Sequence, residues 1–255
     1  MIPGTEPPWF RLGYVSPHPV VDTITYELYR IAPPGVMVVT AGIEIGNYTL
    51  ESVEEQLPRL DHLVRLLVER RVERVVLSGV PLAVALGRRR VRALLSEVES
   101  THGVPADTDM EAIIAAAQHL DIHRVALGTR WKPEVNEGIA AYLAEADIEV
   151  VATVSESRTM RENAALDDAN GMRMALELGR AALSAPEEPH GAILPGGRWI
   201  AAHAAPILER EFGMPVLLNY PCGLWAALRG QGYQGEVAGW GRLLASLSEN
   251  GGRAT

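Results

Sequence analysis

His190–Gly197 reads HGAILPGG, and the fold follows from it. Ala192, Ile193 and Leu194 form a short apolar run that ends in Pro195-Gly196-Gly197, with an Ala-rich helical segment expected from Trp199 to 212. Bounded apolar runs of this length are strands buried on both faces, as in parallel sheets. Ligands of α/β proteins sit beyond the carboxyl ends of such strands. Glycines there let a ligand approach the backbone and expose N–H groups to an anion. A second copy lies upstream, where Arg74-Val75-Val76-Leu77-Ser78-Gly79 is again a β-branched run ending at glycine. Both copies continue through a helix to a Gly-x-Pro step, Gly103-Val104-Pro105 and Gly213-Met214-Pro215. Two such strand ends facing each other would form a cleft lined by backbone donors.

Working outward, strands are expected at Phe10–Val15, Val36–Thr40, 74–79, Val104–Thr108, 123–128, Ile148–Val154, 190–197 and Pro215–Leu218. Helices are expected at Asp22–Ile31, Glu51–Glu69, from about 80 to Ser100, Met110–Leu120, Glu134–Ala144, Asp167–Leu183 and from Gly223. Ser155–Asn163 is expected as a polar loop, and the GGRAT tail after Asn250 as disorder. Strand and helix alternate along nearly the whole chain, which implies an α/β class with parallel sheets and right-handed crossovers.

Composition narrows the function. The 255 residues suffice for one large or two small domains with a real core. A net charge of −9 without a separate basic cluster excludes nucleic acid as the expected partner. The single cysteine, Cys222, excludes disulfide scaffolds and multi-cysteine zinc sites within one chain. The opening MIPGTEPPWF lacks a basic n-region and a long apolar core, so no signal peptide is expected. No run reaches the ~18 apolar residues of a membrane span. The expectation is a cytoplasmic protein of enzyme size that needs neither cofactor nor metal.

With these elements placed, Arg124-Val125-Ala126-Leu127-Gly128-Thr129, Val135-Asn136-Glu137 and Ala140–Glu145 resemble the Asp/Glu racemase superfamily, in its arylmalonate decarboxylase and maleate isomerase branch. Glu209–Val216 (EREFGMPV), Pro221-Cys222-Gly223-Leu224-Trp225 and Gly239-Trp240-Gly241-Arg242-Leu243 extend the resemblance, which covers roughly residues 11–245. It implies two pseudo-symmetric Rossmann-like domains, 1–115 plus about 218–255 and 116–217, with an interdomain cleft. It also implies a chemistry of cysteine thiols at the paired strand ends, since a thiolate adds to double bonds or returns a proton to a carbanion. The matching positions here are Gly79 and Gly196, so the family's thiols are replaced by glycine.

The resemblance and the residue chemistry together name the candidates. Ser16, Pro17 and His18 lie in the first loop, where the family contacts substrate carboxylate; His18 is an acid suited to neutral pH or an exposed loop histidine. Cys222 opens a helix that would favour a thiolate, or is a small packed residue. Gly79, Val80, Gly196, Gly197 and Arg198 would hold carboxylate through backbone N–H groups, with Thr129 as a side-chain partner. Arg130 supplies a carboxylate clamp or stands at the surface, and Arg198 has the same two readings. Trp131 replaces a substrate-bonding Tyr of the family and donates only through its indole N–H. Met160 lines an apolar subsite or packs in the core, and His203 follows the glycine pair. Asp107 and Asp109 end the fourth strand, where Asp109 can simply cap the next helix. The substrate expected is a small carboxylate or dicarboxylate, decarboxylated or isomerised through an enediolate. The alternatives are an inactive carboxylate-binding paralogue, and a hydrolase or hydratase with a water activated near Asp107, Asp109 or Glu44. A homo-oligomer is left open.

Overall fold

The computed structural model describes residues 7–45, 47–197 and 199–248, with Met160 and Ala164 described in their backbone only. The expected disordered tail, 251–255, lies outside them. The chain divides into two compact units, Met1–Asp109 and Met110–Thr255.

Unit 1 runs β1 (Phe10–Ser16), α1 (Thr23–Ile31), β2 (Val36–Gly42), α2 (Leu50–Glu69), β3 (Arg74–Leu77), α3 (Val80–Leu86), α4 (Arg88–His102) and β4 (Ala106–Thr108). Its four strands are parallel in the order β2-β1-β3-β4. Val75, Val76 and Leu77 are all buried, as a strand covered on both faces requires. Local chemistry sets the helix starts: Asp22 accepts the Thr23 N–H at 2.6 Å and Thr49 accepts that of Ser52 at 3.3 Å.

Unit 2 runs α5 (Asp109–His119, its first residue shared with unit 1), β5 (Arg124–Thr129), α6 (Pro133–Ala144), β6 (Glu149–Ser155), α7 (Met160–Ala164), α8 (Asp168–Leu183), β7 (Gly191–Leu194), α9 (Ala204–Phe212), β8 (Val216–Leu218), α10 (Asn219–Gly230) and α11 (Arg242–Ala245). Its strands are parallel in the order β6-β5-β7-β8, the topology of unit 1 repeated. Leu178, Ala182, Leu194, Ala205, Leu208 and Val216 belong to one core cluster between helices and sheet.

The repeat reaches individual atoms. Gly103 closes α4 at φ +65° and Gly213 closes α9 at φ +72°, left-handed positions that favour glycine. The carbonyl of Pro105 accepts the Val75 N–H at 2.9 Å, and that of Pro215 accepts the Ala192 N–H at 3.0 Å. Glu99 accepts the N–H of Ala106, first residue of β4, at 3.1 Å; Glu209 accepts that of Val216, first residue of β8, at 3.0 Å. The pattern Glu-x3-Gly-x-Pro thus fastens each fourth strand to the helix before it.

Several boundaries differ from the sequence reading. Ser155–Asn163 contains the start of α7, because Thr159 and Glu162 form a reciprocal capping box. Glu162 is held below its ordinary pKa by its hydrogen bonds to the Thr159 side chain and backbone. Helix α9 begins at Ala204, since Trp199 turns inward and donates Nε1–H to the Gly196 carbonyl at 2.9 Å. Helix α10 begins at Asn219, ahead of Gly223; Pro221 falls in the first turn, where its missing N–H has no helical partner to lose. Residues from about 218 onward group with unit 2, whereas the sequence reading joined them to the first domain. The contacts explain it: the Trp225 and His119 rings pack tilted with centroids 4.9 Å apart, Ser246 Oγ lies 2.9 Å from His119 Nε2, and Glu209 accepts the Arg242 N–H at 2.8 Å.

Candidate functional site at the glycine-ended strands

In unit 1, the β3 end carries Gly79 at φ +130°. A Cβ there would lie 3.2 Å from Pro17 Cγ, so the first loop and this strand end are neighbours. Ser16 is buried and its Oγ accepts the His18 N–H at 3.1 Å; His18 itself is half-buried. The Gly79 N–H is already engaged, donating to Asp109 Oδ2 at 2.8 Å beside the Ser78 hydroxyl, also at 2.8 Å. Asp109 therefore reaches across to the strand end, where the sequence reading had it capping its own helix. Asp107 instead pairs with Arg74 at 3.0 Å, so the two carboxylates serve different partners. Val80 is buried in α3. Glu44 is exposed, and among the described residues no group of three His, Cys, Asp or Glu could hold a metal ion.

In unit 2, Thr129, Arg130, Trp131, Gly196 and Gly197 come together at the ends of β5 and β7. Thr129 Oγ1 donates to Asn136 Oδ1 at 2.8 Å, and Asn136 Nδ2 donates to the Trp131 carbonyl at 3.2 Å, fixing the turn after β5. The Ser155 hydroxyl donates to that carbonyl too. Arg130 is fully buried, which removes its surface reading: its guanidinium donates to the Gly197 carbonyl and stacks 4.4 Å over the Trp199 ring.

Gly196 sits at φ +108° with its N–H donated to Asn219 Oδ1 at 2.9 Å. Asn219 is thus to Gly196 what Asp109 is to Gly79, a neutral amide where unit 1 has a carboxylate. The expectation that both glycine amides bind an anion is corrected: each already donates to the residue that follows the neighbouring strand. Against Gly196 lies the Trp131 ring. A Cβ on Gly196 would lie 2.8 Å from Trp131 Cζ2 and 3.3 Å from its Nε1. A side chain at 196, cysteine included, would collide with the indole. Trp131 is 6% exposed, and its Nε1–H has no hydrogen-bond partner among the described residues. A buried donor of this kind costs about 1–3 kcal/mol unless a ligand or water accepts from it.

The remaining candidates fall elsewhere. Cys222 is fully buried in the first turn of α10. His203 precedes α9 and its Nε2 lies 3.2 Å from the Met172 carbonyl, which it can only approach as a donor. Arg198 and the Met160 side chain lie outside the described residues. A cavity of about 330 Å³ beside α7 is lined by Glu156, Arg158, Asp167, Arg173 and Glu177 among others, a mixture of charges that gives an anion no net attraction. Three residues escaped sequence reasoning: Asp109 as a partner of Gly79, Asn219 and Trp199. The first two stand three residues after the repeated Gly-x-Pro-x, so lengthening that motif to Glu-x3-Gly-x-Pro-x3-Asp/Asn would have found them.

A family model described as arylmalonate decarboxylase matches residues 18–244. The arylmalonate decarboxylase of Bordetella bronchiseptica is 28% identical over 233 residues, covering 91% of this chain and 95% of the relative. A Gly-to-Cys, Cys-to-Ser variant of arylmalonate decarboxylase in its liganded form superposes with a TM-score of 0.80 at 26% identity, covering 92% of this chain and 98% of that one. A Cys-to-Ala maleate isomerase of Pseudomonas putida S16 with maleate shares the fold, with a TM-score of 0.80 at 18% identity over 92% of this chain and 97% of that one. The chain belongs to the arylmalonate decarboxylase family.

Proposed function

We propose that the chain binds a small malonate-type carboxylate at the end of β7 and decarboxylates it through an enediolate without a thiol. The observation that carries this reading is Trp131: a buried N–H, without a hydrogen-bond partner among the described residues, within 3.3 Å of where a side chain of residue 196 would begin. The indole lies against the position where the resemblance implies a thiol and brings a hydrogen-bond donor close to it. The buried Arg130 guanidinium adds positive charge to the same cluster. Loss of CO2 breaks a carbon–carbon bond and leaves the electron pair on an enediolate, whose oxygens gain most from a fixed donor in a dry site. Thr129 remains a candidate side-chain partner. The returning proton is assigned to water, because Cys222 lies inside packed α10.

The test is calorimetric titration with malonate, methylmalonate, phenylmalonate and maleate, with CO2 release and isomerisation followed in parallel. Binding of a malonate with CO2 release is expected; no binding by any of the four overturns the reading. A second reading is a carboxylate-binding protein without turnover, favoured by the collision that bars a thiol at 196. Binding without product would establish it.

A further inference from the structure

The end of the unit 1 sheet opposite Gly79 carries a cavity of about 330 Å³ lined by Arg11, Glu69, Arg70 and Arg71. No run of sequence makes it: Arg11 is the second residue of β1, whereas Arg70 and Arg71 follow the last turn of α2. Arg11 is half-buried, and among the described residues its guanidinium bonds only to the Met37 thioether, at 2.8 Å, a weak acceptor for a full charge. Arg70 and Arg71 are exposed, and no carboxylate among the described residues pairs with any of the three guanidinium groups. The nearby acids are engaged elsewhere. Glu69 pairs with Arg65 at 2.7 Å, and Glu73 accepts the Arg11 backbone N–H at 2.9 Å. The last carbonyls of α2 are also occupied, since Leu66, Leu67 and Val68 accept N–H groups of Arg70, Arg71 and Val72. Arg71 itself stands at φ +62°, whereas the left-handed residues that close α4 and α9 are the glycines Gly103 and Gly213. An arginine there bears backbone strain that a glycine avoids.

We infer that Arg11, Arg70 and Arg71 form a second binding site, at the foot of the unit 1 sheet, for the phosphate groups of a small diphosphate. A guanidinium presents a planar fork of N–H donors that matches phosphate oxygens two at a time, and a diphosphate offers enough oxygens and charge to engage more than one such fork. The chain as a whole carries a net charge of −9 and repels anions, so the attraction has to be local. Here the cations outnumber the carboxylates, unlike the cavity beside α7, where Arg158 and Arg173 face Glu156, Asp167 and Glu177. Malonate binding at the end of β7 is not required for it.

Calorimetric titration of inorganic pyrophosphate into the full chain tests this, at about 50 mM salt because exposed charges are screened at higher ionic strength. Saturable binding is expected, weakened by about tenfold or more in Arg71→Gly. That variant removes the guanidinium while giving the left-handed backbone its favoured residue, so a lost site is not a lost fold. Glu69→Gln is expected to tighten binding by about twofold or more, since it removes the carboxylate that lines the cavity. Arg173→Gln, in the charge-mixed cavity beside α7, should leave the affinity within about twofold. Absence of saturable binding up to about 5 mM pyrophosphate, or an Arg71→Gly affinity within about twofold of the wild type, overturns the site. An equal loss in Arg173→Gln overturns it too, as the sign of diffuse attraction to surface arginines.

Discussion

Placing a thiol at Gly196 is the perturbation that probes the strand end most severely. Gly196→Cys forces a side chain onto a backbone at φ +108°, a conformation that costs a non-glycine residue about 1–3 kcal/mol. Its Cβ would also start 2.8 Å from Trp131 Cζ2, and overpacking of this kind adds about 1–3 kcal/mol. The expected loss is about 2–6 kcal/mol, a large share of the roughly 5–15 kcal/mol that holds a typical fold. Urea unfolding followed by circular dichroism measures it, with Gly196→Ala as the smallest version of the same change. In a Trp131→Phe background the collision eases while the backbone strain stays, so Gly196→Ala should cost about 1–2 kcal/mol less there than in the wild type. Gly196→Cys and Gly196→Ala both within about 0.5 kcal/mol of the wild type would refute the steric argument. The variant should also gain no thiol-dependent turnover, since the indole occupies the space the sulfur needs.

Other outcomes follow from the same geometry. Cys222→Ala should leave malonate binding and any turnover within about twofold, because the thiol is packed inside α10; abolished turnover in a folded Cys222→Ala would overturn the thiol-free account. Asn219→Ala leaves the Gly196 N–H without its acceptor and should cost about 1–3 kcal/mol in urea unfolding. Burial raises the Glu209 carboxyl above its ordinary 4.5, against the lowering effect of the Val216 and Arg242 N–H groups. The folded chain therefore binds more protons than the unfolded one between 4.5 and that raised value, and Glu209's contribution to stability falls as pH rises through the window. The stability advantage of the wild type over Glu209→Gln should be larger near about pH 4 than near about pH 7, and an advantage that grows with pH would contradict the assignment.

Much of the fold was legible because buried parallel strands announce themselves. RVVL and GAIL are short apolar runs with a glycine just beyond, and both became third strands of matching sheets. The helix starts were less legible, since they depended on side chains drawn elsewhere: Trp199 delays α9 by bonding Gly196, while Thr159 and Glu162 create α7 within an expected loop. The candidate site was legible in place but not in wiring. Glycines at two strand ends suggested open amides, yet Asp109 and Asn219, neighbours only through the sheet, take both. Arg130 could be read as surface or clamp because sequence alone does not show that Trp199 lies beneath its guanidinium.

The central claim is that the Trp131 N–H donates a hydrogen bond to the substrate's carboxylate at the end of β7, a strand end that carries no thiol. Its most direct test is the dissociation constant of methylmalonate for Trp131→Phe, which keeps an aromatic ring and removes the donor. The account predicts binding weakened about tenfold in a variant that remains folded, the loss of one hydrogen bond worth about 1.4 kcal/mol. Affinity equal to that of the wild type would contradict it.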